Sequence, residues 1–218
     1  MTALWSFIKK RFKMKKNILI LCVLSVLFSC NSQGKRALLG KTEYQQKLNA
    51  SYKDATKSPL KKKDLKQFKG LDFFPVDAAY IVTATLVKTV NAPTFEMATT
   101  TDRKPLYKEY GQLSFTLKGK ACELTIYRSQ DDLRDEKYKD YLFLPFTDAT
   151  SSDESYGGGR YMDVMTTDEN ADGTISLNFN NTYNPYCAYN DKYSCPLTPR
   201  KNHLDVAIKA GIMVFEKH

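Results

Sequence analysis

The sequence predicts a mainly-β protein, a single compact β-barrel or β-sandwich-like domain with two short N-terminal helices. Short runs of β-branched and aromatic residues recur after Pro75, with turn residues between them and no internal repeat. The 218 residues include 14 Tyr and 12 Phe, which favour pleated sheets. No linker divides residues 42–218, and a segment of this length suits one hydrophobic core.

The first 29 residues have the pattern of a signal peptide. Met14-Lys15-Lys16 forms a positively charged segment, and an almost unbroken apolar run follows over residues 18–28. As a helix, this run would span about 16 Å, roughly half of the ~30 Å hydrocarbon core of a membrane. We therefore expect a cleaved signal peptide over residues 1–29, with translation starting at Met14, rather than a transmembrane helix.

The end of this run resembles the lipobox of bacterial lipoproteins. Leu27 lies three residues before Cys30, and the small Ser29 directly precedes it. The resemblance implies that Cys30 is lipidated, with chains such as palmitate, and anchors the protein to a membrane, which is its expected partner. Asn31 favours sorting to the outer membrane of a Gram-negative cell envelope. The alternative is an ordinary secreted protein in which this cysteine occurs by chance.

The charge balance of the predicted mature chain argues against a nucleic-acid partner. The sequence contains 33 Lys and Arg and 24 Asp and Glu residues, a formal net charge of +9. Six of the basic residues and none of the acidic ones lie in residues 1–29, so that the mature chain carries a net charge of only +3. Binding to nucleic acid depends on a concentrated basic patch that displaces counterions.

The mature chain is expected to begin with a tether and a helix. Residues 30–41 consist of the lipidated cysteine and a mostly polar stretch. Thr42 and Gln45 have the spacing of a capping box. Side chains with apolar surface then recur every four residues, at Tyr44, Leu48 and Tyr52. This pattern predicts a helix over residues 42–55.

A second short helix and eight strands complete the predicted domain. The helix covers residues 60–69 and ends at Gly70, a residue that favours helix C-termini. The strands are predicted over residues 79–90, 94–99, 107–117, 121–128, 142–146, 159–165, 174–179 and 204–215. Lys118-Gly119-Lys120 predicts a hairpin turn, and Gly211 interrupts the last strand.

The first candidate binding motif is Tyr156-Gly157-Gly158-Gly159-Arg160-Tyr161-Met162-Asp163. Consecutive glycines can direct backbone N–H groups at an anion, and Arg160 offers a bidentate fork for carboxylate or phosphate. The spacing is neither that of a P-loop nor that of a dinucleotide fingerprint. The alternative is a bulged turn that leads into a strand, with Arg160 paired to Asp163 or another acid.

The cysteines of the mature chain form the second candidate. Cys122 alternates with apolar residues, which predicts a buried free thiol. The spacing of Cys187 and Cys195 permits a hairpin with its loop at residues 190–192, in which the two cysteines face each other and form a disulfide. A free thiol pair and a metal held by these two cysteines stay open as alternatives.

Catalytic and metal sites are further candidates. Cys187 could act as a nucleophile with His203 as its base and Asp205 as orienting group. Asp163 is a further candidate, so the alternative to ligand binding is a hydrolase or thiol-dependent enzyme. With only two histidines in the sequence, no cofactor is expected apart from the open metal alternative. Residues 168–173 resemble half of a calcium loop, but an Asp-Gly hairpin turn explains them equally well.

Two segments, "YGGGRYMD" and "LNFNNTYNPYCAYNDKYSCPLTPRKNHLDVAIKAG", resemble the bacterial domain-of-unknown-function 1684 family. The segments "SPLKKKDLKQFKGLDFFPVD", "TTTDRKPLYKEYG" and "YLFLPFTDAT" are similar to its lipoprotein-bearing branch in Bacteroidota. The resemblance extends over residues 44–211. It implies no activity, because the family has none established.

The resemblance does mark positions of interest. They are Gly157, Gly158, Gly159, Arg160, Tyr161, Asp163, Phe179, Asn180, Tyr183, Asn184, Pro185, Cys187, Cys195, Pro196 and Asn202. The resemblance implies that the polar ones converge on one pocket, and that the two cysteines persist in similar proteins without an export signal. The resulting hypothesis is an envelope lipoprotein that binds a small anionic ligand, and a purely structural module is the other alternative. The expected ligand-binding residues are Gly157, Gly158, Gly159, Arg160, Tyr161, Asp163, Asn180, Tyr183 and Asn184.

Overall fold

The computed structural model describes residues 40–215. The predicted signal peptide, the lipidated Cys30 and nearly all of the tether lie outside the described residues. Within this described range, no helix is long and apolar enough to cross a membrane.

Both predicted helices are present. Helix α1 (Glu43–Lys53) begins after Thr42, whose hydroxyl accepts a hydrogen bond from the Gln45 N–H at 3.2 Å. The Gln45 side chain in turn accepts from the N–H of Lys41 at 2.9 Å, one residue earlier than a capping box requires. Helix α2 (Lys62–Gln67) is shorter than predicted. It has fewer than two turns and ends before Phe68, whose backbone is extended.

Eight strands form one curled, mainly antiparallel sheet, which confirms the mainly-β prediction. They are β1 (Ile81–Lys88), β2 (Phe95–Glu96), β3 (Leu106–Leu117), β4 (Lys120–Ser129), β5 (Tyr141–Asp148), β6 (Arg160–Met165), β7 (Thr174–Asn178) and β8 (His203–Leu204). The strand order is β6-β5-β4-β3-β1-β7, with β2 paired to β3 and β8 paired in parallel to β5. The predicted Lys118-Gly119 turn joins β3 to β4, with positive φ at both residues.

The predicted strand over residues 204–215 is wrong beyond Leu204. Its alternate side chains are buried, as in a strand: Leu204, Val206, Ile208, Ala210 and Ile212. The backbone nevertheless leaves the sheet, and Gly211 adopts a φ of +73° where an added Cβ would lie 2.6 Å from the carbonyl oxygen of Phe179. The first four of these side chains belong to the main core, and Ile212 forms an isolated bridge with Phe73. Burial of one face thus produces the alternation without a continuous strand.

Two further clusters lie beside the main core and determine where the site forms. One contains Met97, Tyr107, Tyr127, Phe143 and Tyr161, on strands β3 to β6 and the loop before them. The other joins α1 to the C-terminal segment and contains Tyr52, Leu60, Leu71, Tyr189 and Ile212. Helix α1 is thereby held beside an aromatic part of the sheet, and a cleft lies between them.

Candidate functional site

Arg160 is a structural residue of the core, which contradicts its predicted role in binding an anion. Its side chain is 1% exposed, and Nη2 forms an ion pair with the equally buried Asp148. Nη2 also donates to the carbonyl oxygen of Ile208 at 2.7 Å, while Nη1 donates to those of Ala210 and Ile212. Both terminal nitrogens of the fork are therefore used to hold the C-terminal segment against β5 and β6.

The three glycines form the turn before β6, as the alternative interpretation proposed. The N–H of Gly159 donates to the carbonyl oxygen of Tyr156 within this turn. Gly159 has a φ of +91°, and an added Cβ would lie 2.6 Å from the carbonyl oxygen of Phe146. The carbonyl of Gly158 accepts from the Thr198 hydroxyl at 3.0 Å. The glycines thus allow this turn to lie close to Phe146 on β5 and to Thr198.

Asn180 and Asn184 are also used inside the fold, away from the cleft lining. The side chain of Asn180 exchanges two hydrogen bonds with the backbone of Asp77, at 2.9 and 3.1 Å. Asn184 is fully buried and donates to the carbonyl of Met213 at 2.9 Å. The expected convergence of these two amides with Arg160 on one pocket is therefore wrong.

A different site, which we call the tyrosine cleft, lies between α1, the aromatic part of the sheet and residues 183–196. Its volume is about 500 Å³. Eight tyrosines line it: Tyr44, Tyr52, Tyr107, Tyr138, Tyr141, Tyr161, Tyr183 and Tyr186. Leu48, Phe143, Pro185, Pro196, Cys195 and the carboxylates Asp132 and Asp163 complete the lining. Among the described residues that line it, there is no lysine or arginine.

Asp163 is the polar centre of the tyrosine cleft. Strand β6 presents its carboxylate, which accepts hydrogen bonds from the hydroxyls of Tyr141, at 2.9 Å, and Tyr183. Burial, and then the negative charge of Asp163, raise the pKa of Tyr141 well above its ordinary value. Burial, then Tyr141 and Asp163, do the same to the pKa of Tyr183. Both hydroxyls therefore stay protonated near neutral pH and orient an exposed carboxylate.

The aromatic walls are rigidly packed. Tyr161 contacts Phe143 edge-on with ring centroids 4.7 Å apart, and Tyr183 contacts Tyr161 in the same way at 5.9 Å. The Tyr161 hydroxyl donates to the carbonyl of Pro196, which fixes the loop on the opposite wall.

Cys187 and Cys195 are neighbours, but the predicted hairpin is wrong. Residues Tyr186–Ala188 form a 3₁₀ turn, and the Tyr189 ring packs against Tyr52 with centroids 4.9 Å apart instead of facing a partner strand. Both thiols are free, and the N–H of Cys187 donates to the Cys195 sulfur at 3.3 Å.

The interaction between these two thiols shifts their pKa values in opposite directions. A hydrogen bond from Cys195, with others from Tyr156 and Thr100, lowers the pKa of Cys187 to about 6 despite its partial burial. The same contact with Cys187, followed by burial, raises the pKa of Cys195. Cys122 is a buried free thiol, as predicted, and its burial raises its pKa.

The predicted Cys187–His203 pair and the possible calcium loop are not formed in residues 40–215. His203 contacts the Thr147 hydroxyl at 2.9 Å and the Asp205 carboxylate at 3.4 Å, so its ring nitrogens are directed away from a pairing with Cys187. In residues 168–173, the Asp172 carboxylate accepts from the N–H of Thr174 at 3.0 Å, as in a hairpin turn. Over residues 40–215, no group of three or more His, Cys, Asp or Glu could hold a metal ion.

A known protein family covers the whole sheet of this chain. The family described as "Protein of unknown function (DUF1684)" matches residues 66–213, more than half of the chain. The chain belongs to the DUF1684 family. The match confirms the family predicted from the sequence, while the lipoprotein branch stays a prediction. No curated protein matches the chain.

A solved structure has the same fold. The solution NMR structure of an uncharacterized protein from a gene locus of Haloarcula marismortui is 34% identical, with a TM-score of 0.60. The similarity covers 81% of this chain and 97% of the other. The DUF1684 match begins after α1, so the wall of the cleft formed by Tyr44, Leu48 and Tyr52 lies outside the matched range.

One part of this site was predictable from the sequence, and another was not. Six of the positions marked in the sequence line the tyrosine cleft: Tyr161, Asp163, Tyr183, Pro185, Cys195 and Pro196. Missed were Tyr44, Leu48, Tyr52, Tyr107, Asp132, Tyr138, Tyr141, Phe143 and Tyr186. The four-residue spacing of Tyr44, Leu48 and Tyr52 on α1 could have indicated this wall of the cleft. Tyrosines on the buried face of a helix place their hydroxyls beside the surface against which the helix packs.

Proposed function

We propose that this protein is a lipid-anchored cell-envelope protein that binds a small cationic ligand, an amine or a quaternary ammonium compound, in the tyrosine cleft. The observation that carries the proposal is Asp163, an exposed carboxylate that Tyr141 and Tyr183 hold in an aromatic cleft. A carboxylate beside several aromatic faces attracts cations by charge and by cation–π interaction.

The sign of the ligand charge differs from that expected from the sequence. Asp132 and Asp163 line the cleft, whereas Arg160, the residue expected to bind an anion, is enclosed in the core. An anion in the cleft would meet two carboxylates and no lysine or arginine among the lining residues. Electrostatics therefore support a cation.

The anchor is supported by the sequence alone. The apolar run before Cys30 is too short to span a bilayer, and Leu27 and Ser29 have the lipobox positions. Acyl chains on Cys30 would hold the protein at the envelope membrane, most simply the outer membrane of a Gram-negative bacterium. Replacing Cys30 with Ala should abolish metabolic labelling with palmitate and release the protein from the membrane fraction. Unchanged labelling would contradict this part of the proposal.

The test of ligand charge uses two probes of nearly the same shape. Choline carries a quaternary ammonium group, and 3,3-dimethyl-1-butanol replaces that group with a neutral tert-butyl group. We expect calorimetric titration of the full chain in detergent to give a Kd for choline at least about tenfold lower than for the alcohol, a difference of about 1.4 kcal/mol. Equal affinities, or binding of neither probe, would contradict a cation site.

The matched variants are Asp163→Asn and Asp205→Asn. Asparagine keeps the shape of Asp163 but removes the charge, so we expect the affinity for choline to fall by about tenfold. Asp205 has a 95% exposed side chain outside the cleft, and its variant should bind choline as the unmodified protein does. An equal loss in both variants would indicate a non-specific charge effect.

A further inference from the structure

Cys187 and its neighbour Cys195, which lines the tyrosine cleft, have a chemistry that cation binding does not use. We infer that Cys187 and Cys195 form a thiol–disulfide exchange site, in which Cys187 attacks a small-molecule disulfide and Cys195 resolves the intermediate. The inference is independent of the proposed cation site, because it depends on neither Asp163 nor the charge of the cleft.

The geometry gives the two sulfurs different roles. Cys187 is half-buried on the 3₁₀ turn, whereas Cys195 is 8% exposed and lines the tyrosine cleft. The N–H of Cys187 donates to the Cys195 sulfur at 3.3 Å, so the second sulfur is within reach of the first. A reagent from solvent therefore meets Cys187 first.

The surroundings of Cys187 favour its thiolate. The Cys195 sulfur lies beside it, at 3.3 Å from the Cys187 N–H nitrogen, and interactions with Cys195 and with the Tyr156 hydroxyl lower the pKa of Cys187. Hydrogen bonds to the charged form stabilise it, and the thiolate is the nucleophile in disulfide exchange. Cys122 is a contrasting case, because it is buried in the main core, where its thiol donates to the backbone carbonyl of Lys120 at 3.6 Å.

The segment that carries Cys195 is held independently of any covalent link to Cys187. The N–H of Cys195 donates to the Thr100 hydroxyl at 3.1 Å, and the N–H of Thr100 donates to the Cys195 carbonyl at 2.9 Å. Thr99 and Pro196 form a β-bridge beside them. Because these contacts position the loop in the dithiol state, a permanent disulfide is not needed to hold it.

The exchange balances without a cofactor. The Cys187 thiolate attacks one sulfur of the small disulfide, forms a mixed disulfide and releases the first thiolate. Cys195 then loses its proton, attacks the Cys187 sulfur and releases the second thiolate. The protein dithiol is oxidised by two electrons to the Cys187–Cys195 disulfide, and the small disulfide is reduced to two thiols that carry the two protons.

The test treats the reduced full chain in detergent with glutathione disulfide at pH 7 and follows it by mass spectrometry. Trypsin separates the three cysteines, because cleavage after Lys120, Arg160 and Lys192 puts them in peptides 121–128, 161–192 and 193–200. We expect peptides 161–192 and 193–200 to become joined with loss of two hydrogens, and peptide 121–128 to stay unmodified. A stable glutathione adduct on the unmodified protein, or no reaction, would overturn the inference.

Single variants separate the two roles. In Cys195→Ser, the glutathione adduct should accumulate on Cys187 because no second thiol can displace it. In Cys187→Ser, the reaction of Cys195 should be at least tenfold slower, because that sulfur is buried. Equal rates of adduct formation in the two variants would contradict the assignment.

A milder variant keeps both cysteines in case these changes disturb folding. Tyr156→Phe removes one hydrogen bond to Cys187, and we expect joining of the two peptides at pH 7 to slow severalfold. Cys122→Ser is the matched control and should react at the unmodified rate. If Tyr156→Phe reacted as the unmodified protein does, the surroundings of Cys187 would not be the cause of its reactivity.

Discussion

Replacing Arg160 with Met is expected to destabilise the protein without affecting ligand binding in the cleft. Methionine fills much of the same volume but leaves the carboxylate of Asp148, which is fully buried, without its counter-ion. It also removes the donors to the carbonyls of Ile208, Ala210 and Ile212. The C-terminal segment would then keep its apolar packing and its backbone hydrogen bonds, such as the one from the Phe74 N–H to the Gly211 carbonyl, but lose the bonds from the guanidinium.

The size of the effect follows from this burial. Removing one partner of a buried ion pair costs about 3–5 kcal/mol, because the other charge remains buried and unpaired. For a domain of this size, a loss of ~4 kcal/mol lowers the midpoint of thermal unfolding by about 8–16 °C. Equilibrium unfolding in urea, followed by far-UV circular dichroism, measures the change in free energy directly.

A double-mutant cycle identifies the interaction responsible. Asp148→Asn alone should also destabilise the protein, and the double variant with Arg160→Met should lose less than the sum of the two single losses. The reasoning would be refuted if Arg160→Met cost less than about 1 kcal/mol and instead abolished binding of an anionic probe such as phosphate. That result would restore the binding role first predicted for Arg160.

Three further predictions concern single residues. Gly159→Ala should cost about 1–3 kcal/mol of stability because of its positive φ and a nearby carbonyl, whereas Gly119→Ala, also at positive φ but with nothing within 4 Å, should cost less in the same urea titration. Asn202→Ala should cost about 2–4 kcal/mol, since its amide makes three buried hydrogen bonds to two neighbouring segments. Alkylation of Cys187 should reach half its maximal rate near pH 6 and slow as the pH falls further; in Cys195→Ala this midpoint should rise, and an unchanged midpoint would contradict proton sharing.

Most strands were predictable because local patterns determine them. Runs of β-branched and aromatic residues between turn residues indicate strands. The turn at Lys118-Gly119 was predictable as well, because glycine readily adopts the positive φ that this turn requires. Residues 204–215 could not be assigned in this way. An alternating pattern shows only that one face of a segment is buried, not that the segment pairs with a strand. In this segment, the main core buries the apolar face, and Arg160 binds backbone carbonyls such as that of Ile208.

The site was less predictable, because distant segments form it. Nothing near Arg160 in the sequence shows that Asp148 and the carbonyls of residues 208–212 surround it, so a motif of glycines and arginine looked like an anion site. Asp163 was found through its neighbours in the motif. Its partners Tyr141 and Tyr183 lie 22 and 20 residues away, and only the pairing of β5 with β6 and the bridge from Tyr161 to Tyr183 bring them together.

The most direct test of the central claim is an NMR titration of the isotopically labelled full chain in detergent with choline. If the tyrosine cleft binds cations, chemical-shift changes will be concentrated at Tyr141, Asp163 and Tyr183 and will saturate. Equal concentrations of 3,3-dimethyl-1-butanol will then produce much smaller changes at the same positions. Changes confined to the glycine turn at residues 157–159, or no saturable change in the cleft, would contradict the account.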